Sequence, residues 1–475
     1  MKIKLILSAA PNDALAGSEP FMPLSLPLLA AAAPDHDYDF IDMMKPPFNL
    51  GFDDQVEVVG ISVRMTAEKT AYEVADEFRR RGVKVVMGGP QVSAVPFRAI
   101  EHADAVVIGE GESLWPMVLD DMDTGRLRDF YVSSPRPFAP QGRTFHQLDE
   151  LPDLSEIATP LRHLHKKKYQ FDTVFASRGC PIDCDFCAVP GLFGKKERFR
   201  PIQHVVDEID TFKGFYYLID DTVFGRAHTY DYYLELYAAI SRLKKRRFWH
   251  GQASLGPIQS EKGREVIRAA VRSGLLYAAV GMESINPIVL EKSGSIAKTG
   301  LKGAKDPLAR MEEGIGFLQD LGLVVSGWFA IGYEDDTVDT FYRTLEFCLR
   351  NNIMPIMSPV FALEGTRLHA RLASEGRLGF SGGSLTNVPH PSMKPEAVLE
   401  ALDYSVKTAF TFKEIVKRTL FYAKRFTPQN HNSGRDRVQK AMFLFILQTQ
   451  LKKIFLRENR NLAASEKPGQ LGDGV

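Results

Sequence analysis

Cysteine is scarce in this chain: there are four among 475 residues. So few thiols argue against a secreted, disulfide-stapled fold. No apolar run approaches the ~18 residues that suggest a membrane span. An excess of one charge is missing as well. The 59 Lys and Arg balance 59 Asp and Glu, so nothing in that balance asks for a nucleic acid or another polyanion. Hydrophobic residues make up 44% and charged residues 25%, as in ordinary soluble globular proteins. A chain of 475 residues exceeds one ordinary core, and two or three domains are expected. The opening, Met1–Ala10, has a short apolar core that runs straight into a strand–helix repeat, and it reads as a first buried strand.

What cysteine there is stands together. Cys180, Cys184 and Cys187 lie in the run Ser177-Arg-Gly-Cys-Pro-Ile-Asp-Cys-Asp-Phe-Cys187. Three thiolates in one tight loop can hold three corners of a four-iron, four-sulfur ([4Fe-4S]) cluster and leave the fourth iron open to chemistry. A structural cluster or zinc site normally has four protein ligands. Cys348 is the other cysteine; it sits in Thr344–Arg350, which reads as a helix with apolar neighbours, and there a lone cysteine is a small core residue.

Residues 1 to about 125 alternate strand and helix. Strands are expected at Lys2–Ser8, Val56–Val63, Val83–Met87 and Ala105–Ile108, with helices at Leu24–Ala33 and Ala67–Arg81. Apolar runs separated by helices predict a doubly wound parallel sheet, which binds ligands at the carboxyl ends of its strands. Those ends read Gly60-Ile-Ser62-Val63-Arg-Met-Thr66, Gly88-Gly89-Pro90-Gln91 and Gly109-Glu110-Gly111-Glu112. Glycines there let backbone approach a large ligand; they equally serve as turn residues. Residues 131–170 are proline-rich, with the basic run Lys166–Lys168, and read as a linker with a solvated lysine surface.

A second strand–helix series occupies 171 to about 378. Its expected strands are Thr173–Ala176, Tyr216–Ile219, Trp249–Ala253, Ala278–Gly281, Val324–Ile331 and Ile356–Phe361; helices are expected at Tyr232–Lys245 and Leu308–Leu321. Six such units predict a partial α/β barrel, whose active site forms at the strand carboxyl ends. The cysteine loop follows the first of these strands. Asp220 and Asp221 end the second, where carboxylates serve a ligand's amino group, a substrate hydroxyl or a helix cap. Trp249, His250 and Gln252 end the third, where they are placed to face a substrate; a His beside a Trp at a strand end is more often packed or capped, and no role is assigned to His250.

Cys180, Cys184 and Cys187, with Phe186 before the third, resemble the signature of radical S-adenosylmethionine (SAM) enzymes. Gly281-Met-Glu-Ser284 resembles that family's Gly-x-Glu-Ser motif, and Phe329-Ala-Ile-Gly-Tyr-Glu-Asp335 resembles its fifth-strand motif without the usual proline. The resemblance implies that Glu283 contacts bound SAM, that backbone at Gly332 packs along the adenine, and that Asp220 and Phe186 belong to the same site. The first third, including Pro23-Leu-Ser-Leu26, resembles the cobalamin-binding domain that precedes many such cores. There the implied cofactor contacts are Ser62, Val63, Gly88, Gly89, Pro90, Gln91, Gly109, Glu110, Gly111 and Glu112. An Asp-x-His-x-x-Gly motif is absent, and Gln91 stands where relatives often carry histidine, so no histidine on cobalt is expected. Phe361-Ala-Leu-Glu-Gly-Thr366 and Glu375–Leu378 resemble a stretch common in the cobalamin-binding branch.

The implied activity is cobalamin-dependent methylation of an unactivated carbon of a small or lipid-like substrate, with a flavodoxin or ferredoxin-type one-electron reductant, in a reducing cytoplasm. The alternative is a cyclase or rearrangement enzyme of the same architecture in tetrapyrrole, hopanoid or natural-product biosynthesis. A transfer-RNA methylthiotransferase needs further cysteines before Cys180, and a non-catalytic module needs a fourth ligand. After residue 390 the alternation stops: Pro395–Phe426 and Arg435–Arg457 read as helices. Residues 413–460 hold twelve Lys or Arg against three Asp or Glu. The favoured expectation is a helical cap over the barrel mouth, and the other is peripheral contact with an anionic membrane. Expected domains are therefore 1–130, a linker 131–170, the barrel 171–380, helices 381–460 and a disordered tail 461–475.

Overall fold

The computed structural model describes the chain except residues 12, 14, 15, 18, 53, 134–136, 380–384, 427–433 and 466–475. It divides into two units: Met1–Pro181 with Cys187–Glu208 and Glu364–Thr366, and Ile182–Phe186 with Ile209–Leu363 and Arg367–Val475.

In chain order the first unit holds β1 (Lys2–Leu7), α1 (Ser25–Ala32), β2 (Asp37–Asp42), β3 (Val58–Ser62), α2 (Glu68–Arg80), β4 (Lys84–Gly88), α3 (Pro90–Ala94), α4 (Pro96–Ala99), β5 (Ala105–Ile108), α5 (Trp115–Asp123), β6 (Phe130–Val132) and β7 (Phe145–Gln147). The seven strands form one sheet in the order β2-β1-β3-β4-β5-β6-β7, with every pairing parallel. All residues of β3 and β5 are buried, as a sheet covered on both faces requires. The helix α2 buries Ala71, Val74, Ala75 and Phe78, an i, i+3, i+4, i+7 stripe. The chain leaves β1 for β2 on one side and returns to β3 on the other. The β1/β3 junction is thus a topological switch point, where doubly wound sheets take their ligands. Ser8 and Ser62 meet there, the Ser8 N–H donating to the Ser62 carbonyl at 3.1 Å.

Two expectations change. The segment 131–170 is not all connecting chain, because β6 and β7 extend the sheet through it; part of it, Pro135 included, lies outside the described residues. The edge strand β2, Asp-Tyr-Asp-Phe-Ile-Asp, is new: its acids stop it reading as a buried run, and burial is confined to Phe40 and Asp42.

The chain then runs through β8 (Asp172–Val174), β9 (Ser177–Arg178), α6 (Val189–Leu192), β10 (Arg198–Phe199) and α7 (Ile202–Thr211). The second unit continues with β11 (Tyr216–Leu218), α8 (Tyr230–Ser241), β12 (Trp249–Ala253), α9 (Glu261–Ser273), β13 (Leu275–Glu283), α10 (Pro287–Lys292), α11 (Ile296–Thr299) and α12 (Pro307–Asp320). It ends with β14 (Val324–Ile331), α13 (Val338–Arg350), β15 (Met354–Pro359), α14 (Arg367–Ser374), α15 (Pro395–Ala409), α16 (Phe412–Arg425) and α17 (Gly434–Ser465). Strands β11 to β15 lie side by side in chain order, all parallel. With β8 ahead of them the repeat numbers six strands, as the (β/α)6 pattern requires.

The C-terminal helices correct the expected cap. Their apolar side chains, Phe410, Ile415, Tyr422, Phe426 and Leu444, share a core with Leu276 and Tyr277 of β13, Val324 of β14 and Met354 of β15. These are the amino-terminal ends of the strands, so the helices close the base of the sheet rather than its mouth. Tyr422 is fully buried and its hydroxyl accepts the Val325 N–H at 3.1 Å. The expected single helix over Pro395–Phe426 is two, broken at Phe410–Thr411. Helix α17 runs to Ser465, so the expected tail is helical at its start; residues 466–475 lie outside the described residues.

Candidate active site

In the first unit, the expected cofactor contacts share one edge of the sheet. Gly89 has a positive φ of 97°, and a Cβ there would sit 2.8 Å from the Val63 nitrogen and 2.9 Å from its carbonyl oxygen. Only glycine lets the β3 and β4 ends approach this closely. The Val63 N–H donates to the Gly88 carbonyl at 2.8 Å and the Gln91 N–H to the Val63 carbonyl at 3.3 Å. Pro90 opens α3, with Gly89 as its N-cap. The Gly109 N–H donates to Ser93 Oγ at 2.9 Å, and the Glu110 N–H to Ser133 Oγ at 2.5 Å. Gly111 packs beside Leu29. Ser62, Val63, Gly88, Gly89, Gly109 and Gly111 thus form a closely tied backbone rim.

Three expected side chains are engaged within the protein. Gln91 is buried and its amide donates to Glu68 Oε2 at 2.7 Å and Glu364 Oε2 at 3.0 Å. Arg98 also binds both carboxylates. Glu110 and Glu112 pair with Arg178, and Glu110 also with Arg198. What this edge offers a ligand is mainly backbone and small side chains.

The cysteine loop leaves β9 through Gly179, whose φ of 99° lies in the left-handed region. The Cys180 N–H donates to the Gly194 carbonyl at 3.1 Å. Cys184 is buried and Cys180 and Cys187 half-buried, none in a disulfide. Cys348 is fully buried in α13, and burial pushes its thiol far above the usual range, so it is a core residue as expected. The donor set therefore fits a cluster held by three thiolates. Among the described residues no three His, Cys, Asp or Glu side chains gather as for a single ion; the thiolates of a cubane bind three separate irons.

Within the second unit, Asp185 anchors the middle of this loop. Tyr333, just past β14, donates its hydroxyl to Asp185 Oδ1 at 2.5 Å. The Asp185 N–H donates to the Ser293 carbonyl at 2.9 Å, and the Leu368 N–H to the Asp185 carbonyl at 2.8 Å. Burial raises the Asp185 carboxyl above its ordinary value, opposed by the Tyr333 hydroxyl. Phe186 packs against the apolar cluster that contains Tyr333, Val360 and Leu368. The Gly332 N–H donates to Asp336 Oδ2 at 2.9 Å, which fixes the β14 end.

Glu283 ends β13 in an unusual way. A bulge interrupts the β13–β14 register between Gly281 and Glu283, and Glu283 has a φ of 63°, costly for a residue with a Cβ. Its carboxylate pairs with Lys298, the side chains 12% and 23% exposed. Its partner within the protein is thus a lysine. A Cβ at Gly281 would lie 2.6 Å from Glu283 Oε1 and 2.8 Å from Lys298 Nζ, so that glycine leaves room for the pair. Asp220 is buried and accepts the Tyr233 hydroxyl at 3.0 Å.

Of the residues expected to face substrate on the third strand, Trp249 is buried on the opposite face of the sheet, and sequence reasoning missed Tyr217, Tyr277, Ser326 and Trp328 beside His250 and Gln252. One face packs Tyr216 and Trp249 against Tyr237 of α8. The other carries Tyr217, His250, Gln252, Tyr277, Ser326 and Trp328. Tyr217 and His250 stack at 4.0 Å between ring centroids. Ser326 Oγ bonds the Tyr277 hydroxyl at 2.7 Å and accepts the Trp328 indole N–H at 3.0 Å. Trp328 is 46% exposed. Burial lowers the His250 pKa to about 3, so its ring is neutral near pH 7. Period-two spacing in Val324–Ile331 was the available signal for Ser326 and Trp328.

Residues 174–348 match the model of the radical SAM superfamily, and residues 19–119 match that of the B12-binding domain. The chain is 29% identical over 360 residues to bacteriochlorophyllide d C-12(1)-methyltransferase of Chlorobaculum tepidum, covering 73% of this chain and 72% of that protein. It is 25% identical to the C-8(2)-methyltransferase of the same organism, covering 86% and 89%. It also matches an anaerobic magnesium-protoporphyrin IX monomethyl ester cyclase of Rubrivivax gelatinosus, 26% identical over 55% of this chain and 48% of that one. The fold is similar to that of the cobalamin-dependent SAM radical enzyme OxsB, solved with aqua-cobalamin and SAM, with a TM-score of 0.66 at 14% identity over 100% of this chain and 82% of that one.

Proposed function

This chain belongs to the cobalamin-binding radical SAM enzymes, and on that premise we propose that it methylates an unactivated carbon of a small or lipid-like molecule. One observation carries the reading: a B12-binding domain and a radical SAM domain share one chain whose cysteine loop has three thiols and whose other cysteine is buried in α13. When bound, the cluster and SAM supply one-electron chemistry and cobalamin a methyl carrier.

The protein's part is to hold and orient. Cys180, Cys184 and Cys187 hold the cluster on a loop pinned through Asp185. Glu283, paired with Lys298, would bind the cationic end of SAM, Asp220 and Phe186 would contribute to the same binding, and backbone at Gly332 would serve its adenine. The rim Ser62, Val63, Gly88, Gly89, Pro90, Gly109 and Gly111 would hold the cobalamin, with Gln91, Glu110 and Glu112 bracing the rim through their protein partners. Tyr217, Tyr277 and Trp328 offer a flat aromatic surface. That surface and the names of two relatives favour a tetrapyrrole as substrate class. A flavodoxin or ferredoxin-type reductant in a reducing cytoplasm completes the reaction.

Incubation with methyl-deuterated SAM, reductant and a tetrapyrrole panel tests this. Expected is a product heavier by one labelled methyl. SAM cleavage without label in the product would favour cyclisation or rearrangement.

The C-terminal helices support a contact with an anionic membrane surface. Phe412 and Leu420 of α16 are 72% and 56% exposed, and Val438, Met442 and Ile446 of α17 are 66%, 59% and 49% exposed. The α17 residues recur every fourth position, with exposed Lys413, Lys417, Lys424, Lys453 and Arg457 on the same two helices. An apolar stripe edged by cations suits a lipid surface. Among the described residues no helix is long and apolar enough to cross a membrane. Flotation with phosphatidylserine vesicles, weakened in Met442→Glu, is expected; no flotation at low salt would remove this part of the proposal.

A further inference from the structure

We propose that Arg178 is a positioning residue that ties the first cluster thiolate to the loop receiving cobalamin; this rests on the cofactor assignments above. Arg178 stands on β9 two residues before Cys180, and β10 sets Arg198 directly opposite it in antiparallel register. Both guanidiniums converge on the loop after β5. Arg178 donates through Nη1 to Glu110 Oε2 at 2.6 Å and through Nη2 to Glu112 Oε1 at 2.6 Å. Arg198 donates to Glu110 Oε1, and to the Pro152 carbonyl at 2.7 Å. Side-chain exposure is 11% for Arg178, 10% for Arg198, 1% for Glu110 and 13% for Glu112. The Arg178 guanidinium also lies 4.4 Å from the Phe175 ring centroid.

Two cations and two anions are thus balanced away from water, where removing one leaves its partner charged and uncompensated. The network closes the third side of a loop already held by Ser93 at the Gly109 N–H and by Ser133 at the Glu110 N–H. With its acids turned to the arginines, Gly109–Glu112 presents its backbone at the strand end. A loop ordered before its ligand arrives does not lose affinity to ordering on binding. The same strand delivers Cys180, so the proposed cobalamin rim and the start of the cluster loop are one braced piece, and the Arg178 charge lies within two residues of a proposed cluster ligand.

The test uses anaerobically reconstituted full-length protein, wild type, Arg178→Gln and Glu112→Gln. Hydroxocobalamin affinity is measured by equilibrium dialysis and cluster potential by redox titration followed by electron paramagnetic resonance. Both variants unbrace the loop, and each is expected to bind hydroxocobalamin about fivefold more weakly or worse. Their potentials are expected to move oppositely: down in Arg178→Gln, which leaves one negative charge in excess, and up in Glu112→Gln, which leaves one positive charge in excess. General loosening would move both potentials the same way, and that result overturns the proposal, as do affinities within about twofold of wild type. Should Arg178→Gln fail to load a cluster, Arg178→Lys keeps the charge without the two-pronged geometry. It is then expected to weaken cobalamin with little change in potential, and unchanged affinity counts against the clamp. If the wild type binds no hydroxocobalamin, the cofactor assignment itself has failed, a result distinct from wild-type binding with unaffected variants.

Discussion

Replacing Glu283 by glycine and, separately, by alanine resolves what this residue gives to stability and what it gives to function. Its φ of 63° costs a side-chain-bearing residue roughly 1–2 kcal/mol. Alanine retains that strain and loses the pairing with Lys298. Lys298 keeps some contact with water, so the lost pair is worth roughly 1 kcal/mol, nearer the exposed than the buried range. Glycine loses the same pair but relaxes the backbone. The glycine variant should therefore be the more stable by about 1 kcal/mol, which for a unit of this size is about 2–4 °C in Tm. Ordinarily glycine within a strand is the worse of the two by roughly 0.5–1 kcal/mol, so the inversion of sign is diagnostic. Scanning calorimetry on anaerobic protein measures it. In parallel, 5′-deoxyadenosine formation should fall at least about tenfold in both variants, the loss of one charge-assisted contact. A glycine variant melting at or below the alanine variant would refute the strain argument. Full SAM cleavage in either would refute the role in binding, and with it the reason for strain at this position.

Further outcomes follow from the same structure. Cys180→Ala/Cys184→Ala/Cys187→Ala should abolish cluster absorbance and SAM cleavage together, while Cys348→Ala should keep full iron content and lose only roughly 1 kcal/mol of stability, for a small side chain deleted from a filled core. Tyr422→Phe leaves the buried Val325 N–H without its acceptor and should cost about 1–3 kcal/mol by calorimetry with little change in activity. His250, with a folded pKa of about 3 against an ordinary 6.5, stays neutral in the fold while the unfolded chain takes up a proton. Its contribution is full above pH 6.5 and is lost as pH falls toward 3, so His250→Phe should reduce the acid loss of stability by up to one proton's slope in denaturant titrations between pH 4 and 7; an unchanged slope would contradict the burial of this ring.

Much of the fold was legible because its strands are largely apolar: β3 and β5 are buried throughout, and β14 stands out as an apolar run although Trp328 is exposed. β2, β6 and β7 were missed because the first alternates acids with apolar residues and the others are three-residue edge additions amid prolines. The three cysteines proposed for the cluster stood out by their spacing, three thiols within eight residues, together with the motifs that follow them. Glu283 was visible through its motif, but its strained backbone and its lysine partner, fifteen positions on, follow from a bulge that no local pattern marks. The cysteine motif gives no sign of what Arg178 does, because its partners Glu110 and Glu112 lie more than sixty residues earlier. The base-closing position of the C-terminal helices was unreadable for a related reason: amphipathic spacing tells that a helix packs, not on which end of a sheet.

Mössbauer spectroscopy of anaerobically prepared, iron-57-enriched protein, recorded with and without SAM, bears most directly on the open iron. Expected are four irons per chain, of which one shifts its parameters when SAM is added while three do not. Four equivalent, unresponsive irons, or a cluster that ignores SAM, would contradict a centre held by Cys180, Cys184 and Cys187 alone.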